Sequence, residues 1–455
     1  MGGRCASALG MCAADASADA RGRVPLPLLR EAAAYVPTTF DYAAGKLPLG
    51  TWTAVFRASI ASMTQRASLS RQCSGAVPDA FEPGEIACET TGELKPAATR
   101  AKSFGARFER ELQRIESSGE SDCLSLCAIR DRCLREAGFP DAFASVKAEE
   151  DARALALLPG VLEELDALAA AGDEAAHCEA LLRGCFAGNI FDLGAKATVD
   201  MYEAGNMSFA SARDKLLPRP WCVDCLDEFK AKWTSSATPW KKAIVFVDNA
   251  GADMWLGMYV APADLARLLV RLFQLDDSDA AALPCGVRAL TGNSPARCRL
   301  PLCRALARRG TKVVIASNHT PSLNDMTAAE LKLALPRVHD EQVHRLLECG
   351  MLSVVDSGSD DPVIDLSKIS RELAEAAADA DLVVLEGMGR GIETNLNAEL
   401  TCDRLNLGMV KHPEVAESLG GRLYDVVCKY VPRRGQLTPR LPRCSARALL
   451  ACTAS

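Results

Sequence analysis

Two regimes of hydrophobic spacing divide the chain. Up to about residue 215, apolar positions recur every three or four residues: Phe104, Phe108, Leu112 and Ile115 form one face, and Leu124, Cys127, Ile129, Cys133 and Leu134 another. Ala152 to Ala170 is an Ala/Leu/Glu pattern broken at Pro159-Gly160, and Leu28, Leu29, Ala33, Val55, Phe56 and Ile60 repeat at helical spacing around a turn-like Pro37 to Pro48 segment. This period predicts a mainly helical region over residues 25–215, with a Gly/Pro/Thr-punctuated loop at about 71–96. Past Pro218-Arg219-Pro220-Trp221 the pattern changes to short uninterrupted apolar runs separated by helical segments. The runs are Ile244 to Val247, Lys312 to Ala316, Leu352 to Val355, Leu382 to Leu385, Leu405 to Val410 and a sixth at Leu423 to Val427. Such alternation predicts an α/β class: a Rossmann-like, mostly parallel sheet with flanking helices over 216–431, preceded by the helical N-terminal domain.

Three stretches lack either period. Residues 1–24 and 432–455 are expected to be disordered, the latter an arginine-rich tail with Arg433, Arg434, Arg440, Arg443 and Arg447. Between about 260 and 300 the order of the sheet is interrupted. Ala263 to Phe273 reads as a crossover helix, Asp276 to Arg299 as a polar insertion, and Cys303 to Arg309 as a resumed helix. A structureless run of that length inside a compact domain is unusual, and a lid, a disordered surface loop or an error in the coding sequence all account for it.

Strand ends carry the candidate chemistry, because ligands of open α/β sheets bind outside the carboxyl ends of the strands. The first run closes on Asp248, Asn249 and Asp253, hard oxygen donors that suit a divalent cation. The second closes on Ser317, Asn318 and His319 with Asn324-Asp325 beyond Pro321; the third on Asp356 to Asp361; the fourth on Glu386-Gly387-Met388-Gly389-Arg390-Gly391; the fifth on Lys411-His412-Pro413. Five successive polar or glycine-rich ends describe one cleft, with acids for a metal, Gly387 and Gly389 for close approach of an oxyanion, and Arg390 with Lys411 for phosphate charge. In the helical region, Arg183 to Gly194 sets Arg183, Asn189 and Asp192 among three glycines, either a ligand-facing turn or a capped helix-to-helix turn.

Bulk properties narrow the partners. The 455 residues are 49% hydrophobic, ample for a large core, and carry a net charge of −7, which excludes a general nucleic-acid or anionic-membrane footprint. No run approaches the ~20 apolar residues of a spanning helix, and the first 23 residues lack a secretory apolar stretch. Gly2 is followed by Ala6 where a myristoylation signal needs Ser or Thr. The 19 cysteines are scattered through helical and strand patterns, which favours reduced thiols in the cytoplasm. Cys222 and Cys225 have CxxC spacing without a second pair at zinc-ribbon distance, so a structural role is expected.

Competing motifs are weak. Gly387-x-Gly389-x-Gly391 lacks a third glycine at the spacing of a dinucleotide fingerprint, the residue two beyond Asp248 is Ala250 rather than a second aspartate of an aspartyl-nucleophile phosphatase, and the five histidines show no paired metal spacing.

At these residues the chain resembles a known family. Phe246-Val247-Asp248-Asn249-Ala250-Gly251-Ala252-Asp253, Ser322-Leu323-Asn324-Asp325, Asp361-Pro362-Val363-Ile364-Asp365-Leu366 and above all Glu386-Gly387-Met388-Gly389-Arg390-Gly391-Ile392-Glu393-Thr394-Asn395 are similar to the metal-dependent damage-control phosphatases (domain of unknown function 89). The Glu-Gly-Met-Gly-Arg motif resembles the subfamily that includes plant stand-alone enzymes and the C-terminal domain of an animal pantothenate kinase; here no nucleotide-binding loop precedes Asp248. The resemblance covers most of residues 25–431. Departures are His319 where an acid is common and Ser359 where an amide is usual. It implies hydrolysis of small phosphomonoesters, such as 4'-phosphopantetheine and its damaged forms or sugar phosphates, in metabolite damage control. By motif, Asp248, Asn249 and Asp325 would ligate a divalent metal (Mn, Co, Ni or Mg). Asp248, Asp253, Glu386 and Lys411 are then the expected catalytic set; Arg183, Asn189, Asn318, Asn324, Gly387, Gly389 and Arg390 are the expected substrate or phosphate contacts. The partner is a small phosphorylated metabolite, with no nucleic acid and no membrane. A methyltransferase holding S-adenosylmethionine at the glycine-rich strand end, and a catalytically weakened metabolite-binding protein, are the alternatives.

Overall fold

The structure, a computed structural model, describes residues 18–37, 49–69, 94–119, 121, 123–189, 218–255 and 299–433. The expectations for residues 1–17, for most of the 71–96 loop, for 256–298 and for the tail beyond 433 lie outside these residues.

Helices α1 (Leu49–Leu69), α2 (Ala97–Ser118), α3 (Cys123–Glu136), α4 (Ala144–Ala170) and α5 (Glu174–Asn189) make up the N-terminal region. The Phe104, Phe108, Leu112 and Ile115 stripe of α2 is fully buried or nearly so, as its period predicts. Gly119 ends the helix at φ 74, a left-handed cap suited to glycine. The break expected at Pro159-Gly160 is absent. Pro159 lies inside α4 on its exposed side while Leu158, Val161, Leu162 and Leu165 are buried opposite, so packing along that face outweighs the lost hydrogen bond.

The rest is a seven-stranded sheet: β1 (Val223–Asp224), β2 (Lys242–Phe246), β3 (Lys312–Ser317), β4 (Leu352–Asp356), β5 (Leu382–Glu386), β6 (Asp403–Met409) and β7 (Val426–Val431), in the order β1-β7-β6-β5-β2-β3-β4. Strands β2 to β6 are mutually parallel. The expected sixth strand starts later than its pattern, at Val426 rather than Leu423, and runs antiparallel to β6, and β1 follows it in parallel. A short connection through α12 (Pro413–Ser418) joins β6 to β7, too short for a parallel crossover. The other helices beside the strands are α6 (Leu226–Thr234), α7 (Ala252–Trp255), α8 (Arg299–Arg308), α9 (Ala328–Ala334), α10 (Glu341–Glu348) and α11 (Arg371–Ala377). Among the described residues, no helix is long and apolar enough to cross a membrane.

Three cores hold these layers. Ala243, Val245, Val313 and Ile315 face a core completed by α4, α5, α6 and α8, so those two N-terminal helices belong to the sheet's own packing rather than to a separate unit. The opposite strand face, with Ile244, Phe246, Val314, Val383 and Leu385, is covered by Ile369, Leu373 and Leu26, Leu28 and Leu29. That placement corrects two expectations. Residues 18–24 are ordered, since Val24 exchanges backbone hydrogen bonds with Ile369; and Leu26 to Leu29 form a turn closed by Leu29 N–H to Leu26 O (3.0 Å), not a helix, because Pro25 and Pro27 cannot sustain a helical ladder. The third core joins α1, α2 and α3 to Met388, Ile392 and Val410 just past β5 and β6. Cys222 donates through Sγ to the Val426 carbonyl (3.2 Å) and the Cys225 N–H to that of Cys428 (2.8 Å), a structural use of the CxxC spacing.

Successive strands run outward from β2 to β3 and β4, then return to β5 on the other side of β2. This topological switch opens a crevice between the carboxyl ends of β2 and β5, where such folds bind ligands. Asp403 of β6 anchors the far side of the sheet: its buried carboxylate accepts from Trp240 Nε1 (2.8 Å), Tyr430 OH (2.7 Å) and the Arg433 N–H (2.8 Å). Asp403→Ala strands these donors and is expected to lower unfolding stability by about 3 kcal/mol, measured by urea denaturation, whereas Tyr430→Phe, which removes one donor together with its hydrogen bond, costs about 1 kcal/mol.

Candidate active site

Each catalytic candidate sits just past a strand of the switch point. Asp248 and Asn249 follow β2, Asn318 follows β3, Glu386 ends β5, and Lys411 follows β6; all are buried. The turn after β2 and the turn after β3 are tied together through their backbones: Ala250 N–H donates to Asn324 O (2.8 Å), Met326 N–H to Asp248 O (3.0 Å), and Asn249 bridges Asp325. Asp248, Asn249 and Asp325, far apart in sequence, are therefore neighbours.

Asp248, Asp253 and Glu386 each place a carboxylate oxygen within 4.8 Å of the others, all three buried. Gly387 makes this approach possible. At φ 94 it adopts a backbone that side chains rarely take, and a Cβ there would lie 1.8 Å from Asp248 Oδ2. Gly389, expected to approach an oxyanion, and Gly391 give room to the chain itself: their Cβ positions face Pro362 O and Leu385 O, each at 2.6 Å.

Two buried arginines offset the acids. Arg390, in the π-type turn Met388–Glu393, pairs through Nη1 with Asp248 and through Nη2 with Asp325 Oδ2 (2.7 Å) and Asn318 Oδ1 (2.9 Å). Arg299, the first residue of α8, pairs with Asp253 Oδ2 (2.5 Å) and with Glu386. The carboxyl of Glu386 is nonetheless held well above its usual range, chiefly by burial and then by Asp253 and Asp248 beside it, against the pull of Arg299 and Lys411. Burial likewise raises Asp253, opposed by Arg299, Lys411 and the hydrogen bond from Asn249 Nδ2 (2.8 Å). Desolvation outweighs the ion pairs here, so these two carboxyls hold protons more readily than exposed acids do.

The arrangement fits a divalent cation: its donors are hard oxygens, and Oε1 of buried Glu386 lacks a hydrogen-bond partner among the described residues while Oε2 faces Arg299. Asn324 fits a ligand contact. It is 1% exposed, and neither its Oδ1 nor its Nδ2 has a hydrogen-bond partner among the described residues. Asn318 is used internally, donating to Asp325 Oδ2 (3.1 Å) and to Asp361 O (3.0 Å) while accepting from Arg390. His319 turns outward to Asp356.

Not every predicted contact is brought here. Arg183 pairs with Glu179 (2.8 Å) and lies over Trp221, and none of its described contacts is with the cleft acids. Asn189 is the last residue of α5, and its side chain lies outside the described residues, as does Asp192. Arg299 has no signal in the sequence, because its surroundings, Ser294-Pro295-Ala296-Arg297-Cys298-Arg299, carry no strand or motif. Asp151 is likewise hidden within a surface-like helix pattern: its Oδ1 accepts from Gly251 N–H (2.7 Å) and Trp255 Nε1 (2.6 Å), fixing the turn that carries Asp253.

A model of the damage-control phosphatase ARMT1-like domain matches residues 79–263 and 299–427, leaving 264–298 unmatched. A damage-control phosphatase of Arabidopsis thaliana is 41% identical over 386 residues, 84% of this chain and 87% of that protein. Pantothenate kinase 2 of the same plant is 34% identical over 440 residues, and a mouse 4'-phosphopantetheine phosphatase 29% identical over 468 residues. The matches take in 89% and 90% of this chain but 41% and 49% of those two proteins, so the chain spans less than half of their length.

Two outcomes follow from this geometry. Gly387→Ala is expected to displace Asp248 and weaken binding of Mn2+ by at least about tenfold, read by isothermal titration, with the secondary structure retained. Asp361, beside Asp131 and Asp360, has its carboxyl raised to about 7, first by burial and then by those acids, against Arg130. A carboxyl raised in the folded state contributes stability that is present below about pH 4 and lost as the pH rises through 7. Asp361→Asn should therefore flatten the pH 4–7 decline in stability by about 1–3 kcal/mol, the side chain being half-buried and partly screened.

Proposed function

The chain belongs to the damage-control phosphatase ARMT1-like family, and we propose that it hydrolyses small phosphomonoesters with a divalent metal, 4'-phosphopantetheine and its damaged forms or sugar phosphates being the substrate class. The observation that carries this reading is the convergence of Asp248, Asp253 and Glu386 beside Asn249 and Asp325 at the β2/β5 switch point.

Asp248, with Asn249 and Asp325, would hold the cation, whose positive charge stabilises phosphoryl oxygens and acidifies water. Arg390 and Lys411 supply positive charge for a bound phosphate, and Asn324 offers unused amide atoms to it. Glu386, whose carboxyl burial and its acidic neighbours hold above the usual range, is suited to deliver a proton to the leaving oxygen. Asp253, fixed by Asn249 and Arg299, is the carboxylate left to orient the water. Mn, Co, Ni and Mg are the candidate ions. The free, mostly buried thiols among the described cysteines support a reducing, cytoplasmic setting.

Hydrolysis of p-nitrophenyl phosphate and of 4'-phosphopantetheine across the four metals tests the assignment. Asp248→Ala is expected to lower kcat/KM by about a thousandfold or more; full metal-dependent turnover in that variant contradicts it. Asp325→Asn should chiefly weaken metal binding, and Glu386→Gln should chiefly lower kcat with metal affinity kept. The reverse pattern would exchange their roles.

A further inference from the structure

The turn after β3 that carries Asn324 and Asp325 is not self-supporting. Leu323 sits at φ 50, the left-handed region, which a leucine occupies only where its surroundings impose it. Ser322, Asn324 and Asp325 are each 1–2% exposed, so the polar side chains of the turn are enclosed, while Leu323 between them is only partly buried. Within it, a single backbone bond from Asp325 N–H to Ser322 O (3.0 Å) closes the loop.

Besides its bonds to the turn after β2 and to Arg390, the groups that hold it come from the helical region. Ser322 Oγ donates to Asp131 Oδ2 of α3, and Asp131 is itself clamped by Arg130 through Nε to Oδ1 (2.7 Å) and Nη2 to Oδ2 (3.1 Å). Both residues of that pair are buried, at 5% and 3% exposure, which sets it apart from an ordinary surface ion pair. Lys147 of α4, also buried, donates to Asp325 O (3.3 Å) and to Glu330 Oε1 (2.7 Å), and pairs with Asp141 (2.8 Å). Glu330 in turn closes the capping box with Thr327 that starts α9, immediately after the turn. Leu323 packs against the α1–α3 core. The helical region thus grips the turn at both ends of the strained residue.

We propose that Asp131 is a positioning residue for the reaction, acting through Ser322 to hold the left-handed turn that presents Asn324 and Asp325 to the metal and phosphate. The proposal rests on the reading of Asp325 as a metal ligand. Groups that orient a ligand from behind are typically worth about 10–100-fold in metal affinity, because a relaxed turn must be re-ordered by the ion. A role confined to stability would leave the affinity of the folded protein unchanged.

The test is Mn2+ binding to the full chain by isothermal titration and by loss of the free-ion EPR signal, with kcat and KM for p-nitrophenyl phosphate measured alongside. Asp131→Asn and Ser322→Ala are each expected to weaken Mn2+ binding by about tenfold or more and to lower kcat/KM, while Thr311→Val, which removes a buried hydroxyl bonded to Trp240 O away from the turn, keeps the wild-type affinity. Ser322→Ala leaves the Arg130–Asp131 pair intact, so its result decides the matter if Asp131→Asn fails to fold. Wild-type Mn2+ affinity in folded Ser322→Ala overturns the positioning role and leaves the proposed function standing. A wild-type protein that binds none of Mn2+, Co2+, Ni2+ and Mg2+ overturns both.

Discussion

Buried charge balance at the β2/β5 crevice is the constraint on which the rest of the structure depends. Asp248, Asp253, Asp325 and Glu386 are withdrawn from water together, and an isolated carboxylate so buried costs several kcal/mol even after relaxation. Arg390 and Arg299 offset that cost pairwise, one across Asp248 and Asp325, the other across Asp253 and Glu386. The compensation is incomplete, as the raised carboxyls of Asp253 and Glu386 show. A site that is crowded with hard oxygens and still short of positive charge is one that a divalent cation improves.

Keeping four acids buried around two arginines demands rigid surroundings, and the helical region supplies many of them. Asp151 fixes the turn after β2, Asp131 and Lys147 fix the turn after β3, and the core of α1 to α3 reaches Met388 and Ile392 beside Arg390. The helices that sequence periodicity predicts are in contact with the turns that carry the candidate ligands. Glycine contributes at one position above the others: without a side chain at Gly387, β5 can end against the Asp248 carboxylate.

Much of this was legible in the residues because the α/β half obeys local rules. Short apolar runs marked β2 to β6, and most of the polar residues that ended them lie at the candidate site. The direction of β7 was not legible, since an apolar run does not record whether its neighbour runs with it or against it. Arg299 and Asp131 were invisible for another reason. Each is a charged residue in a helix whose partners lie far along the chain, Glu386 for one and Ser322 for the other, and no local pattern encodes such a pairing. Leu26 to Leu29 misled because apolar spacing over so few residues fits either period, and the two prolines were the better guide. Arg183, read as a cleft residue from its glycine-rich setting, serves Glu179 and Trp221 instead.

The most direct measurement is anomalous diffraction from crystals of the full chain grown or soaked with Mn2+. The account predicts one strong manganese peak within bonding distance of Asp248, with Asn249 and Asp325 completing its protein ligands. A peak held elsewhere, or none at saturating metal, would contradict it.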